Sequence, residues 1–129
     1  MTGAEAKVEL IRSLYDAWHR GEFGGELFAE DVEWSTPHPG GTVSGRDQLH
    51  AWLRSYMGAW EEYFNELEDV RVLDDGRVLV YLTEKARGRS SGVEMTWSVA
   101  AIVEIEDGLI TRYTGMERDE ALRRLGLAE

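Results

Sequence analysis

The sequence predicts an α+β fold, in which a strongly curved antiparallel sheet wraps around N-terminal helices like a cone and a short C-terminal helix closes it. Two observations support this. Helical apolar spacing gives way near Phe64 to a series of strand patterns. The clearest of these is a hairpin, in which residues 93–105 turn through Glu106-Asp107-Gly108 into residues 109–113. A helix over residues 117–127 then ends the pattern.

The helices come first along the chain. Thr2 and Glu5 form a capping box, and Gly21 ends the helix that follows. Its apolar residues recur at helical spacing: Val8, Ile11, Tyr15 and Trp18. A short helical piece over residues 23–28, a short strand over 32–35 and a Pro-Gly loop over 37–41 are expected next. A second long helix should begin near Arg46 or Asp47, with one apolar stripe of Leu49, Trp52, Leu53, Tyr56 and Trp60.

The strand series continues from there. Residues 64–73 and 77–87 read as strands joined by Asp74-Asp75-Gly76, and Gly88–Gly92 turns into the hairpin already described. No repeat or linker interrupts this order, and 129 residues with 43% hydrophobic content suit one core. We therefore expect a single domain over residues 1–129.

Composition excludes several classes of function. The net charge of −11 would repel phosphate backbones and anionic membrane surfaces, so neither nucleic acid nor a membrane is an expected partner. With no cysteine, the chain has no disulfide, thiolate nucleophile or cysteine metal site. The N-terminus lacks a signal-peptide pattern and no apolar run approaches bilayer length, so a cytoplasmic location is expected.

The order of elements resembles a known family. The residues that carry the resemblance are Asp31–Trp34, Ser44–Asp47, Ala59–Glu62, Ser91–Glu94, Asp107–Ile110 and Glu117–Leu122. Together they resemble the nuclear transport factor 2-like superfamily, and particularly its SnoaL-like branch, over nearly the whole chain. The resemblance implies a cone with an internal pocket. It does not choose a reaction, because the superfamily includes isomerases, cyclases, hydrolases, dehydratases and noncatalytic modules.

The ketosteroid isomerases of this superfamily supply a catalytic pattern to compare. Their helix-one tyrosine, an oxyanion donor, is matched by Tyr15. Their base is an aspartate just before a proline, where this chain has Thr36, which cannot abstract a carbon-bound proton at neutral pH. Their second donor falls near Ala101. The resemblance therefore disfavours ketosteroid isomerisation while leaving the pocket open to another reaction.

Strand alternation singles out Glu84. It shares a face with Val78, Val80, Leu82 and Ala86, a face that should look inward together with Trp97 on the next strand. Desolvation on an apolar face would suit Glu84 to act as a general base or acid. The alternative is that Glu84 lies at a solvated strand end and pairs with Lys85, Arg87 or Arg112.

His38 is the other candidate proton-transfer group, since it lies in the loop that the resemblance places at the pocket mouth. The alternative is an exposed loop histidine. His19 and His50 fit helix surfaces, and the three histidines show no metal-ligand spacing, so neither a metal nor another cofactor is predicted.

Aromatic residues form the largest group of candidate site residues. Six are predicted to bind a flat hydrophobic ligand: Trp18, Tyr56, Trp97, Tyr81, Tyr113 and Trp34. The alternative is that they fill the core. The small residues Thr96, Ser98 and Ala100 on the outer sheet face favour a homodimer, the state in which such folds often bury that surface.

Two functional hypotheses remain. The first is a cofactor-independent isomerase, cyclase or lyase that acts on a small hydrophobic carbonyl-bearing metabolite, with Glu84 or His38 as base and Tyr15 as donor. The second is a noncatalytic module of the same fold that binds a small ligand or a second copy of the chain.

Overall fold

The computed structural model describes residues 3–36 and 42–126. Its helices are α1 (Gly3–His19), α2 (Arg46–Gly58) and α3 (Arg118–Arg124), and a single 3₁₀ turn covers Gly25–Leu27. The strands are β1 (Phe28–Ser35), β2 (Thr42–Ser44), β3 (Trp60–Val72), β4 (Val78–Gly88), β5 (Glu94–Glu106) and β6 (Leu109–Glu117). The predicted α+β class is confirmed.

The six strands form one sheet in the order β2-β1-β6-β5-β4-β3. Strands β3 to β6 pair in antiparallel hairpins, as expected. The predicted Asp107-Gly108 turn takes positive φ at both residues, 52° and 77°, which is the geometry of a tight hairpin turn. The sheet is nevertheless mixed, because β1 pairs parallel with β6.

Three boundaries differ from the sequence predictions. Strand β2 lies in a segment that the sequence predicts to be a loop or a helix start. It pairs with β1 over only three residues, which is too short a run to give a clear strand pattern. Strand β1 begins at Phe28, so the predicted short helix shrinks to one 3₁₀ turn. Trp60 opens β3 and does not continue α2, because the helix ends at Gly58.

The sheet curls around the helices. Helix α1 packs on β3, whereas α2 contacts β1 and β2 at one end of the sheet and β3 at the other. Both ends of a sheet can reach one helix only if the sheet bends toward it, so this contact pattern agrees with the predicted cone. The predicted capping residue Thr2 lies outside the described residues.

Apolar side chains pack on both faces of the sheet. The inner cluster joins Ile11, Leu14 and Tyr15 of α1 and Leu49 of α2 to the sheet residues Phe28, Val32, Val78, Val80, Ala101, Val103 and Ile110. A smaller outer cluster holds Leu79, Ala100, Ile102 and Met116 beneath Ala121 of α3. Helix α3 therefore covers part of the outer face, including Ala100, which the sequence had suggested as a dimer contact.

The alternation of apolar and polar residues predicts which residues of β5 face inward, and the structure agrees for most of the strand. Val99, Ala101, Val103 and Ile105 belong to the inner cluster. Val93 and Met95 instead stay exposed, because the β4–β5 hairpin extends beyond the helices that cover the sheet.

Candidate functional site

A cavity lies between the inner face of the sheet and the two long helices, and we call it the inner cavity. Its volume is about 40 Å³. That free space corresponds to about three water molecules. Six aromatic residues line it: Trp18, Trp34, Trp52, Tyr56, Tyr63 and Tyr113. The other lining residues include Thr36, Leu53, Met57, Asn65, Leu82, Glu84, Val99 and Gly115. A compact ligand fits this space best.

Glu84 is buried in the wall of the inner cavity, with 9% of its surface exposed. Alternation along β4 places it there, since Leu82 and Ala86 on either side face the same way and are also buried. Asn65 on β3 and Trp97 on β5 lie directly opposite it. The Tyr63 hydroxyl donates a short hydrogen bond to Glu84 Oε2.

Two of the arginines named in the solvated alternative for Glu84 contact other carboxylates. Arg87 binds Glu62, and Arg112 binds Glu33 at 3.1 Å and Glu104 at 3.5 Å. Both arginines point to the outer face, because they are next to the inward residues Ala86 and Tyr113.

The pKa values of four tyrosines are raised in part by the charge of the Glu84 carboxylate. Burial is the main cause that raises the pKa of Tyr15, Tyr63 and Tyr113, and the negative charge of Glu84 adds to each rise. The same two causes raise the pKa of Tyr56 to about 12. These phenols consequently stay protonated at neutral pH and serve as hydrogen-bond donors.

Tyr15 lies one layer behind the cavity wall. Its hydroxyl is 2.7 Å from the hydroxyl of Tyr113, and the pair is buried. Tyr113 lines the inner cavity, whereas Tyr15 is not among the lining residues. The predicted role of Tyr15 as a donor to a ligand stays a prediction, and Tyr113 lies between its hydroxyl and the cavity.

The tryptophans form a continuous aromatic wall. Trp34 stacks on Tyr113 with ring centres 4.0 Å apart, and Trp18 meets Trp34 edge-on at 6.0 Å. Trp52 stacks on Tyr56 at 5.2 Å. Each of these five rings lines the cavity, so many of the predicted aromatic positions converge.

Two predicted aromatic positions lie elsewhere. Trp97 faces inward but packs edge-on against Trp60 at 5.8 Å, and it is not among the lining residues. Tyr81 belongs to the outer cluster, where the guanidinium groups of Arg71 and Arg118 lie over its ring. Its assignment to the ligand site is corrected, because it alternates with the inward residues Val80 and Leu82.

The histidines make separate contacts. His38 lies outside the described residues, so its predicted role stays a prediction. His19 stacks on Phe64 and contacts the Asn65 carbonyl oxygen, while His50 stacks on Phe23. Within residues 3–36 and 42–126, no three His, Asp or Glu side chains are grouped so that they could hold a metal ion.

Sequence reasoning missed four residues of the site. Tyr63 precedes the predicted strand and Asn65 is near its start, while Trp52 belongs to the predicted apolar stripe of α2. Thr36 occupies the position of the ketosteroid isomerase base and also lines the cavity. The alternation of Tyr63, Asn65 and Leu67 on β3 is the signal that could have found the first two.

Three of the lining residues carry a buried polar atom that has no partner in the described part of the chain. These atoms are Trp34 Nε1, Thr36 Oγ1 and Asn65 Oδ1. Buried polar groups are normally hydrogen-bonded, so their concentration around one cavity marks a place where a ligand or ordered water belongs.

A second, more open cavity adjoins the first. It is lined by Phe23, His50, Glu22 and Arg54, and it shares Trp18, Leu53 and Met57 with the inner cavity. The three shared side chains form the partition between inner cavity and surface.

Comparisons with known proteins agree with this architecture. The model of the SnoaL-like domain family matches residues 11–113. No curated protein matches the chain. Among the 265 solved chains that match, Bal32a from a soil-derived mobile gene cassette is 26% identical with a TM-score of 0.82, over 92% of this chain and 93% of that one.

Two further structures share the fold. A candidate SnoaL-like polyketide cyclase from Jannaschia sp. CCS1 is 16% identical, with a TM-score of 0.78 over 100% of this chain and 96% of that one. A protein with a ketosteroid isomerase-like fold from Catenulispora acidiphila DSM 44928, in complex with trimethylamine, is 19% identical with a TM-score of 0.74, over 92% and 93%. None of the described helices is long and apolar enough to cross a bilayer. The matched domain covers most of the sequence, and the chain belongs to the SnoaL-like domain family.

Proposed function

We propose that the protein is a cofactor-independent acid–base enzyme of the isomerase, cyclase or lyase type, acting on a small hydrophobic carbonyl compound. The observation that carries this proposal is the burial of the Glu84 carboxylate in an aromatic cavity, where a phenol holds it. A fixed carboxylate in a water-poor site is suited to remove a proton from carbon next to a carbonyl. Polyketide cyclase-like neighbours of the same fold support this class of chemistry.

The proton transfer keeps the charge of the site constant. Glu84 takes the proton and becomes neutral, while the carbon–hydrogen electron pair moves to the carbonyl oxygen and forms an enolate. Return of the proton from Glu84 to another carbon would complete an isomerisation. The four raised tyrosine pKa values support this scheme, because protonated phenols can donate to the enolate oxygen.

Tyr113 is the proposed donor to the enolate oxygen. Either hydroxyl of the Tyr15–Tyr113 pair can donate to the other. When Tyr15 donates, the Tyr113 proton is left for the inner cavity. Tyr15 then acts as a positioning residue, which revises its predicted role.

Proton exchange tests the proposal without knowledge of the natural substrate. In D₂O, 2-tetralone should lose its proton signals next to the carbonyl by NMR faster with the protein than with buffer alone. The Glu84→Gln variant should slow the catalysed exchange by about 100-fold, the scale of general base catalysis. Glu66→Gln is the matched control, because Glu66 is an exposed carboxylate on β3 that leaves the cavity intact.

The results separate this proposal from the noncatalytic alternative. Exchange that needs Glu84 and not Glu66 supports the enzyme. If 2-tetralone quenches tryptophan fluorescence but the protein never accelerates exchange, the binding-module hypothesis takes its place. The noncatalytic binding module remains a second candidate because the lining of the cavity is largely apolar.

A homodimer and a cytoplasmic location remain parts of the proposal. Thr96 and Ser98 are exposed on the outer face of β5, beyond the area that α3 covers, and they could meet a second copy. Light scattering during gel filtration should give twice the chain mass of 14.6 kDa. A mass of one chain at micromolar concentration would contradict the dimer.

A further inference from the structure

We propose that the inner cavity selects compact organic cations of the methylated ammonium class over neutral molecules of the same shape. This selectivity goes beyond the proposed proton transfer, because it needs only the charge and the ring surfaces of the site. Three independent features of the described residues carry it: the sign of the charge in the lining, the aromatic wall and the available volume.

The first feature is the charge of the lining. Glu84 is the only charged side chain among the described residues that line the inner cavity, and no Lys, Arg or His is among them. Its carboxylate accepts a hydrogen bond from the hydroxyl of Tyr63. Because Coulomb interactions strengthen in a low-dielectric interior, a cation in this cavity gains an attraction that a neutral molecule lacks.

The pKa values of the surrounding tyrosines agree with this negative field. The charge of Glu84 contributes to the raised pKa of Tyr56, Tyr63 and Tyr113, which line the cavity, so it opposes a second negative charge at these three positions. A field that opposes anions at these positions favours cations there.

The second feature is the aromatic wall. Trp18, Trp34 and Trp52 line the cavity together with Tyr56, Tyr63 and Tyr113, which places ring surface on several sides of one small space. The ring quadrupole attracts cations, most strongly for tryptophan, and the attraction grows when water is excluded. Methylated ammonium ions suit such a site because they have few hydrogen bonds to lose on leaving water.

The third feature is size. The inner cavity has a volume of only about 40 Å³. A compact ion such as tetramethylammonium requires less displacement of side chains than a larger cation. A net charge of −11 on the whole chain also raises the local concentration of cations at the protein surface.

A pair of molecules with the same shape tests the selectivity. Choline and 3,3-dimethylbutan-1-ol differ mainly in the charged nitrogen, which is carbon in the alcohol. Calorimetric titration of the full chain at fixed ionic strength should give a dissociation constant for choline that is lower by about tenfold or more. Tetramethylammonium should compete with choline.

Matched variants assign the preference to the cavity. Glu84→Gln should bring the two dissociation constants close together, while Glu66→Gln, which removes an exposed charge from the same sheet, should leave the preference unchanged. Trp52→Phe should keep most of the preference and Trp52→Leu should lose most of it, since only the leucine variant lacks a ring. Circular dichroism checks that each variant is folded.

Several results would overturn the inference. Equal or tighter binding of the neutral alcohol would do so, as would no detectable binding of choline and tetramethylammonium. An equal loss of choline affinity in Glu66→Gln and Glu84→Gln would show that overall charge, and not the cavity, attracts the cation. The 2-tetralone exchange experiment is independent of all of these, so the cation site and the acid–base function can fail separately.

Discussion

The inner face of the sheet differs between its two halves, although the same strands run through both. In one half, Val78 and Val80 of β4 pair with Val103 and Ala101 of β5, and all four are fully buried. We call this the apolar half. In the other, Glu84 lies between Asn65 of β3 and Trp97 of β5, and we call this the polar half.

The difference shows how one strand can serve both stability and a ligand site. The apolar half packs against Ile11 and Leu14 of α1, so its residues gain from leaving water. The polar half faces the inner cavity, where Glu84 accepts a hydrogen bond from Tyr63. Glu84 lies only four positions after Val80, so substitutions can compare the two environments directly.

The largest expected effect comes from placing a carboxylate in the apolar half. Val80→Glu should lower the free energy of unfolding by at least about 3 kcal/mol, because the carboxylate would be buried among aliphatic side chains. Urea unfolding followed by circular dichroism measures it. Thr83→Glu, at a partly exposed outward position of β4, is the control and should cost far less. Equal midpoints for Val80→Glu and the native protein would refute the distinction between the halves.

High pH should destabilise the fold through the polar half. Tyr15 and Tyr113 have raised pKa values in the folded state, so their contribution to stability is complete below the unfolded pKa near 10 and is lost as pH rises through their folded values. Together they should reduce the free energy of unfolding by up to about 3 kcal/mol per pH unit above about pH 10. Urea unfolding at pH 8, 10 and 11 gives the slope. A constant midpoint, or full tyrosinate absorbance at 295 nm in folded protein at pH 10, would contradict this.

Removal of the phenol donor should have a moderate effect. Tyr63→Phe takes away the hydroxyl that donates to Glu84, and we expect a loss of about 1–3 kcal/mol because the buried carboxylate loses a hydrogen bond. In a Glu84→Leu background the same change should be neutral or favourable. The same loss in both backgrounds, measured by urea unfolding, would show that the two side chains are not coupled.

The smallest expected effect is at Asn65. Its Oδ1 atom is buried without a partner in the described part of the chain, so Asn65→Leu should change the free energy of unfolding by less than about 1 kcal/mol. The reverse exchange at a neighbouring inward position, Leu82→Asn, should cost more than about 2 kcal/mol, since it buries an amide in place of an apolar group. Similar losses for the two variants would argue against this difference.

The apolar half was predictable from sequence, and the polar half only in part. Alternation on β4 and β5 is strong because Val, Leu and Ala recur at every second position. Glu84 stood out as the exception to that pattern. Asn65 and Tyr63 did not, because the strand is predicted to begin only at Phe64 and its inward positions include a polar residue, which weakens the alternation.

Strand pairing between distant parts of the chain also limited what could be predicted from the sequence. The parallel contact of β1 with β6 joins residues about 80 positions apart, so no local propensity encodes it. That contact brings Trp34 beside Tyr113 and ends next to Thr36. The hydroxyl pair of Tyr15 and Tyr113 depends on the same kind of contact, so the sequence could not show that Tyr113 lies between Tyr15 and the cavity.

A crystal structure of the protein soaked with 2-tetralone would test most directly whether the polar half is the ligand site. Our account predicts the ketone in the inner cavity, with the carbon next to the carbonyl about 3–3.5 Å from the Glu84 carboxylate, the separation of reacting atoms. The carbonyl oxygen should lie within hydrogen-bond distance of Tyr113. A ketone bound only at the surface, with the inner cavity unchanged, would contradict the account.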